Sequence, residues 1–270
     1  MPEGDTLFRA ARSLDAVLAG RRVFAFRSSL GERVDDGRVG RAIERVRSRG
    51  KNLFVVFEDG FSLHVHLGMQ GAFRIATREA PRPLPRDAAL FLEVDDGTRV
   101  VCVTPSRLAL LRGDEERQAS PFGTAPLQLG PDLLAPSFSA ERALAGFHAR
   151  AKDGGVGAAI GDVLMMQHVV AGIGNVYKSE ILFLEKVWPF KLVEELDDAA
   201  LGRVLIRARD LLRRNALAAS GLRITRPGDG GRHWVYRRSG KPCFTCGHRI
   251  AMKRQGGGRS TYFCGTCQRP

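Results

Sequence analysis

Residues 241–270 read KPCFTCGHRIAMKRQGGGRSTYFCGTCQRP, and the four cysteines in this stretch organise the reading of the whole chain. Cys243 and Cys246 form one Cys-x-x-Cys hook, Cys264 and Cys267 form a second, and seventeen residues separate the two. Hooks at this separation present four thiolates that can close a tetrahedron around one Zn²⁺. Two disulfides or four free thiols would use the same residues, but the spacing matches the zinc pattern more closely. The segment carries few apolar side chains, so burial alone is not expected to fold it, and the metal would supply the folding energy. With four protein ligands no coordination position stays open, which makes the expected Zn²⁺ structural. Lys241, Arg249, Lys253, Arg254 and Arg259 surround the hooks. A small zinc-held hairpin bearing cations suits a nucleic acid.

The 270 residues are 44% hydrophobic, enough to build one large or two medium cores. The net charge of +13 favours a polyanionic partner through counterion release, without choosing among DNA, RNA and an anionic membrane surface. Arg greatly outnumbers Lys. Guanidinium groups give bidentate phosphate contacts, although a GC-rich genome produces the same bias. No run of about eighteen apolar residues occurs, so no membrane span and no membrane partner are expected. The N-terminus lacks the basic-then-apolar pattern of a signal peptide. Four of the five cysteines sit in the hooks, and Cys102, alone in a strand-like apolar run, reads as a buried thiol. Together these point to a reducing, cytoplasmic setting.

Upstream of the hooks the chain changes texture once. Leu7, Ala10, Ala11, Leu14, Val17 and Leu18 recur at helical spacing, which predicts a helix over residues 2–20 with Gly20 as its stop. Short Val-, Phe-, Ile- and Leu-rich runs follow at 23–26, 53–57, 61–67, 71–75, 90–94, 100–104 and 108–111. Glu58-Asp59-Gly60 and Asp95-Asp96-Gly97 read as hairpin turns between them. Such a series predicts a β-sandwich, with residues 76–88 as a surface loop. Helical patterns take over later: one helix starting at Ser139, one over 156–167, one over Asn175–Lys186 and one from Asp197 to about Ala219. The expected organisation is a multidomain α+β protein. An N-terminal helix and β-sandwich occupy 1–113, a hinge 114–135, a helical domain 136–225 and the zinc-finger hairpin 226–270.

Three stretches carry chemistry. Removing Met1 would leave the secondary amine of Pro2 as the first group, with Glu3 beside it. An α-amine titrates near pH 8, so an appreciable fraction is an unprotonated nucleophile near neutrality. Attack at a sugar C1′ would give an iminium ion, with Glu3 as acid or base. An ordinary helix start explains Pro2 and Glu3 equally well. Ser48-Arg49-Gly50-Lys51-Asn52 places a lysine at the mouth of a hydrophobic strand. Gly172-Ile173-Gly174-Asn175 is a tight turn into a helix, where Asn175 and helix N–H groups suit a backbone phosphate.

Taken in order along the chain, these motifs resemble the formamidopyrimidine-DNA glycosylase / endonuclease VIII family of bifunctional base-excision repair enzymes. The resemblance runs through the Met-Pro-Glu-Gly start, Arg49-Gly50-Lys51, His66-Leu67-Gly68-Met69-Gln70-Gly71, Leu129-Gly130-Pro131-Asp132, Gly172-Ile173-Gly174-Asn175-Val176-Tyr177 and the four-cysteine hairpin. It implies a helix–two-turns–helix in the helical domain. It implies damaged duplex DNA, bent across a positive cleft, as the partner of a monomeric enzyme. It implies Pro2 as the nucleophile that displaces the base and forms a Schiff base, Glu3 as the proton-handling group, and Lys51, near the lesion phosphates, and Arg259 as further catalytic residues. It implies Asn175 and Arg259 as phosphate clamps. Met69 would lie in the loop that fills the gap left by an everted base, a step required because C1′ is inaccessible in a stacked duplex. Strand cleavage would follow by β,δ-elimination.

Two departures select between branches of that family. Its 8-oxoguanine branch has an Arg-Phe pair where this chain reads Ser106-Arg107-Leu108-Ala109-Leu110, and a longer capping loop than Ser220–Cys243 allows. Both point to the endonuclease VIII branch and oxidised pyrimidines, whereas Gly68-Met69-Gln70 looks more like the other branch. Asp5 and Thr6 also depart from the common pattern. The alternatives are an 8-oxoguanine/formamidopyrimidine glycosylase of the same fold, a non-catalytic damaged-DNA-binding zinc protein, and a zinc-ribbon RNA-binding protein.

Overall fold

The computed structural model describes residues 2–85, 87–112, 129–152 and 158–270. The chain divides into two compact units, Met1–Gln128 and Leu129–Pro270. Met1, residues 114–128 of the expected hinge, and residues 156–157 of the second expected helix lie outside the described residues.

The first unit opens with α1 (Gly4–Leu18), whose Leu7, Ala11, Leu14 and Leu18 form one buried stripe at helical spacing. The helix is shorter at both ends than the expected 2–20. Glu3 takes the N-cap position with extended backbone, its carbonyl accepting from Thr6 N and Leu7 N at 2.9 and 3.1 Å, so Pro2 precedes the helix. At the other end Ala19 turns extended and Gly20 takes φ +76°.

Eight strands follow: β1 (Val23–Ser28), β2 (Ile43–Arg49), β3 (Asn52–Phe57), β4 (Phe61–His66), β5 (Ala72–Ala76), β6 (Leu90–Val94), β7 (Arg99–Val103) and β8 (Arg107–Arg112). They form two antiparallel four-stranded sheets, β1-β6-β7-β5 and β2-β3-β4-β8. Phe26, Leu92, Val100 and Cys102 from one sheet meet Ile43, Leu53, Val55, Leu63 and Val65 from the other, and α1 closes the same core. Every residue of β3 is buried, because Phe54 and Val56 join Ala109 and Leu111 in a second cluster on the opposite face. The anticipated turns are present at Gly60 (φ +78°) and Gly97 (φ +83°). Two elements were not anticipated. Strand β2, IERVRSR, buries mainly Ile43 and Val46 and looks polar in sequence. Helix α2 (Glu32–Asp36) is one short turn, and Asp35 ties it to β1 through Ser28 Oγ at 2.6 Å.

The second unit holds α3 (Ala140–Lys152), α4 (Ile160–Val163), α5 (Asn175–Leu184), α6 (Asp198–Leu217) and a hairpin of β9 (Ala251–Gln255) and β10 (Arg259–Phe263). Ser139 Oγ accepts from Arg142 N at 3.1 Å, and Asp197 Oδ1 accepts from Ala200 N at 2.7 Å, so both helices start on side-chain caps. α5 stops short of the expected Lys186, which takes φ +55°. Among the described residues of the expected 156–167 helix, only those of α4 are α-helical. Gln167 then bonds the backbone of Met165, Gly172 and Ile173, fixing the loop in place of further helical turns.

The expectation that the hairpin has almost nothing to bury needs correction. Ile250, Phe263, Cys243 and Cys264 are buried, and the hairpin borrows apolar partners from outside itself. Phe183 of α5, Val235 and Trp234 join its cluster, and Trp188 and Phe190 meet the Phe263 ring edge-on at 4.9 and 5.3 Å. Among the described residues, no helix is long and apolar enough to cross a membrane.

Candidate active site and metal centre

In the first unit, α1 positions the N-terminal chemistry. Pro2 is half-buried and lies ahead of the helix, while Glu3 and Asp5 are fully buried at the helix start. Carboxylates there face the positive end of the helix dipole. Asp5 is held by Arg9 one turn on, at 3.5 Å, and accepts from Thr6 Oγ1 at 3.3 Å.

The β2–β3 hairpin places Lys51. Arg49 pairs with Asn52, leaving Gly50-Lys51 as a two-residue turn with Gly50 at φ +57°, as a turn with glycine at its first central position requires. Close to it stands His66, at the end of β4. The charges of Lys51 and Arg107, after burial, hold the His66 imidazole below its ordinary pKa. Gly68 N lies 3.2 Å from His66 Nδ1 in donating geometry. Ser106 Oγ lies 2.7 Å from the same Nδ1 and 3.0 Å from the His66 carbonyl. Met69 follows in the next turn and is 76% exposed, so it is not a core methionine.

In the second unit, α5 and the hairpin bring Asn175 and Arg259 together. Asn175 Nδ2 donates to the carbonyl of Ser260 at 2.8 Å, beside Arg259. Its amide is thereby committed to the hairpin instead of lying open at the helix start. Its Oδ1 is buried with no hydrogen-bond partner among the described residues. Lys178 Nζ bonds Thr261 Oγ1 at 2.7 Å, and Tyr262 N bonds Ser179 Oγ at 3.3 Å, so one face of α5 carries β10. Arg259 itself is exposed at the start of β10. Glu180 anchors the approach to the hairpin. Its fully buried carboxylate accepts from Trp234 N, Val235 N and Tyr236 N, each at 2.8 Å, and from Thr225 Oγ1. Burial nonetheless pushes its pKa up.

The four cysteines of the hooks converge. Cys243 and Cys267 Sγ are 3.9 Å apart, Cys246 and Cys264 Sγ 3.4 Å, and all four lie within 4.8 Å of one another. Four thiolates at about 2.3 Å from a tetrahedral Zn²⁺ stand about 3.8 Å apart, so the set fits one zinc ion. This is one structural zinc site. Cys102 takes no part: it is buried in the sandwich core, and burial pushes its thiol up to about 12.

Family comparisons agree with this arrangement along the chain. The formamidopyrimidine-DNA glycosylase N-terminal domain matches residues 1–111, the H2TH domain of the same glycosylase 129–226, and the zinc finger found in FPG and IleRS 240–270. This chain belongs to the formamidopyrimidine-DNA glycosylase / endonuclease VIII family. Its place is in the endonuclease VIII branch. "Probable endonuclease 8 2" of Streptomyces coelicolor is 37% identical over 99% of this chain and 94% of its own length. The "DNA-(apurinic or apyrimidinic site) lyase Nei2" of Mycolicibacterium smegmatis is 36% identical over 99% of both. Among solved structures, the MutM (FPG) protein of Thermus thermophilus superposes with a TM-score of 0.77 at 27% identity, over 99% of this chain and 98% of that one. The protein is therefore a DNA glycosylase with AP-lyase activity, acting in base-excision repair.

Two residues beside the candidate site residues were not singled out by sequence reasoning. His66 was visible only as part of a loop motif, and its proximity to Lys51 and Arg107 follows from strand pairing. Glu180 lies three residues past the quoted glycine-turn motif, and its role depends on backbone N–H groups more than fifty residues away.

Proposed function

We propose that this glycosylase removes oxidised pyrimidines from duplex DNA through a Schiff base on Pro2. The observation that carries the reading is that Pro2 stands ahead of α1 while Glu3 is fully buried beside it. A nucleophilic amine outside the helix, next to a carboxyl group held by the fold, suits attack at an anomeric carbon. Once Met1 is removed, the Pro2 nitrogen forms a bond to C1′ as the C1′–base bond breaks, and the base leaves with a proton. Glu3 handles the protons at the sugar. The C1′–O4′ bond then breaks, O4′ leaving with a proton, and the iminium ion so formed acidifies the C2′ hydrogen. Loss of that proton breaks the C3′–O bond, and a second elimination breaks the C5′–O bond, leaving a one-nucleotide gap with phosphates at both ends.

The remaining residues bind. Lys51 and the His66 ring meet phosphates near the lesion, and an anion there offsets the Lys51 and Arg107 charges that add to burial in lowering the His66 pKa. Arg259 grips phosphate from the hairpin. Asn175 contributes at the start of α5 and ties Arg259's strand to that helix. Met69 fills the gap left by the everted base. Damaged DNA as partner is supported by a MutM structure solved in complex with 8-oxo-G-containing DNA, which is 26% identical over the whole chain with a TM-score of 0.78. The enzyme works in the cytoplasm, at the chromosome.

The pyrimidine preference rests on Ser106 and Leu108. Ser106 is bonded back to His66 and Leu108 packs against the sandwich core, so neither supplies the Arg-Phe pair of the 8-oxoguanine branch. Single-turnover excision from duplexes carrying thymine glycol or 8-oxoguanine tests the reading. Thymine glycol is expected to be released at least about tenfold faster. Equal rates, or faster release of 8-oxoguanine, would assign the lesion class to the other branch.

A further inference from the structure

Arg259 emerges from a turn with little stiffness of its own. Gly256, Gly257 and Gly258 precede it, and Gly257 and Gly258 take φ +66° and +72°. Glycine leaves the backbone more freedom than any other residue. An arginine on a loose triglycine turn would lose much of its binding energy to ordering that turn. Residues two apart on a strand share a face, so Arg259 lies on the face of β10 that carries the buried Thr261. The Arg259 guanidinium makes no hydrogen bond or ion pair among the described residues, so the backbone beneath it sets its direction.

That backbone is tied to the helical part of its unit. Gly256 N donates to Oδ1 of Asp162, in α4, at 3.0 Å across 94 residues of chain. Beside this bond a relay of side chains fixes Gln255, the residue paired with Arg259 across the hairpin. Lys178 Nζ donates to Thr261 Oγ1 at 2.7 Å, Thr261 Oγ1 to Gln255 Oε1 at 2.5 Å, and Gln255 Nε2 to the Pro189 carbonyl at 3.1 Å. The fit is close. A Cβ on Gly161 would fall 2.6 Å from Gln255 Oε1 and 2.8 Å from the Pro189 oxygen, and one on Gly256 would fall 3.0 Å from Asp162 Oδ1. Within the hairpin, Arg254 Nη1 donates to the Gly258 carbonyl at 2.8 Å. Asp162 is the side chain that reaches the glycines from outside the hairpin, and a carboxylate accepting from an N–H makes a charge-assisted bond.

We propose that Asp162 is the positioning residue for the Arg259 phosphate contact: its carboxylate holds the triglycine turn in the shape that aims the guanidinium at DNA. This role rests on the proposed phosphate grip of Arg259.

Equilibrium binding to a duplex carrying a tetrahydrofuran abasic analogue, measured over a range of salt, tests it without requiring catalysis. The proteins compared are wild type, Asp162→Ala, Asp162→Asn, Arg259→Ala and the variant combining Asp162→Ala with Arg259→Ala. Asp162→Ala should weaken binding by about three- to tenfold and lower the salt slope by up to about 0.9, the share of one phosphate. Asp162→Asn keeps an accepting oxygen and should stay within about twofold of wild type. The combined variant should match Arg259→Ala within about twofold, because a residue that acts only through Arg259 has nothing left to position. Every variant should keep its zinc. The role is overturned if Asp162→Ala binds like wild type, or if Asp162→Asn falls as far as Asp162→Ala. It is equally overturned if the two losses multiply in the combined variant, or if Asp162→Ala gives up the metal, since Asp162 would then support the hairpin as a whole. An Arg259→Ala variant that binds like wild type would instead contradict the phosphate grip itself, and the positioning role falls with it.

Discussion

The β-sandwich and the zinc hairpin each present cations and loops to DNA in this account, yet they are held in different ways. In the sandwich, Lys51 and Met69 sit on turns between strands whose inward faces and α1 form one continuous apolar core. In the hairpin, Arg259 sits on two strands whose buried cluster has five members among the described residues: two metal ligands, Ile250, and Phe183 and Val235 from outside the strands. Burial suffices for the first. The second needs the metal and the side of α5. The sandwich and the hairpin can therefore be unfolded separately.

Metal removal gives the largest separation. Binding of a structural zinc contributes on the order of 10 kcal/mol or more to folding of such a hairpin. Cys246→Ser is expected to lose the zinc, the hydrogen-exchange protection of residues 251–263 and at least about a hundredfold in affinity for abasic duplex. Protection across β3 and β4 should stay. Joint loss in both regions would break the comparison.

Glu3→Gln acts on chemistry alone. Excision from intact lesions should fall by about 10²–10⁴-fold, the range typical of a lost general acid–base group, with binding retained. Processing of preformed abasic sites should survive better. An excision rate within about threefold of wild type would remove Glu3 from the mechanism.

Acid sharpens the comparison inside the sandwich. His64 is buried, stacked on Phe54 and bonded through Nε2 to Asn52 Oδ1 at 2.8 Å; burial, Arg107 and His66 hold its pKa at about 3. The folded pKa lies below the unfolded value of 6.5, so the unfolded chain binds more protons between them. Stability is then full above pH 6.5 and lost as pH falls toward 3, by up to about 1.4 kcal/mol per pH unit. His64→Gln should flatten that slope in far-UV melts. Both tryptophans, Trp188 and Trp234, lie in the second unit, so their fluorescence should not follow the substitution. That signal should keep the same-signed slope from His233, held at about 4 by burial and by Arg223, Arg232 and Arg237. A pH slope unchanged by His64→Gln would show that its proton is not linked to folding.

The smallest effect is electrostatic. Arg259→Ala should lower the slope of log affinity against log salt by about 0.9, one phosphate's worth, and weaken all lesion duplexes alike. An unchanged slope and affinity would reduce Arg259 to a solubilising residue.

The strands with apolar runs, the capped helices and the zinc hooks were legible because each is written in local spacing. Strand β2 was not, since three of its seven residues are arginines and its burial is limited mainly to Ile43 and Val46. The helix expected over 156–167 failed for a different reason: Gln167 offers the backbone of the following turn a side-chain partner that periodicity does not register. The hairpin's missing core was likewise supplied by Phe183, Trp188 and Phe190, whose contacts no local reading reveals. Within the site, Pro2, Glu3, Lys51 and Met69 stood out as types at telling positions. The bond from Asn175 to Ser260 spans 85 residues and depends on docking the hairpin against α5.

Borohydride trapping on abasic duplex DNA tests the central claim, that the Pro2 nitrogen attacks C1′. The account predicts a stable covalent adduct with protein lacking Met1, mapped by mass spectrometry to Pro2, and no adduct when Met1 is retained. A full-yield adduct from protein that keeps Met1, or one mapped to a lysine, would contradict it.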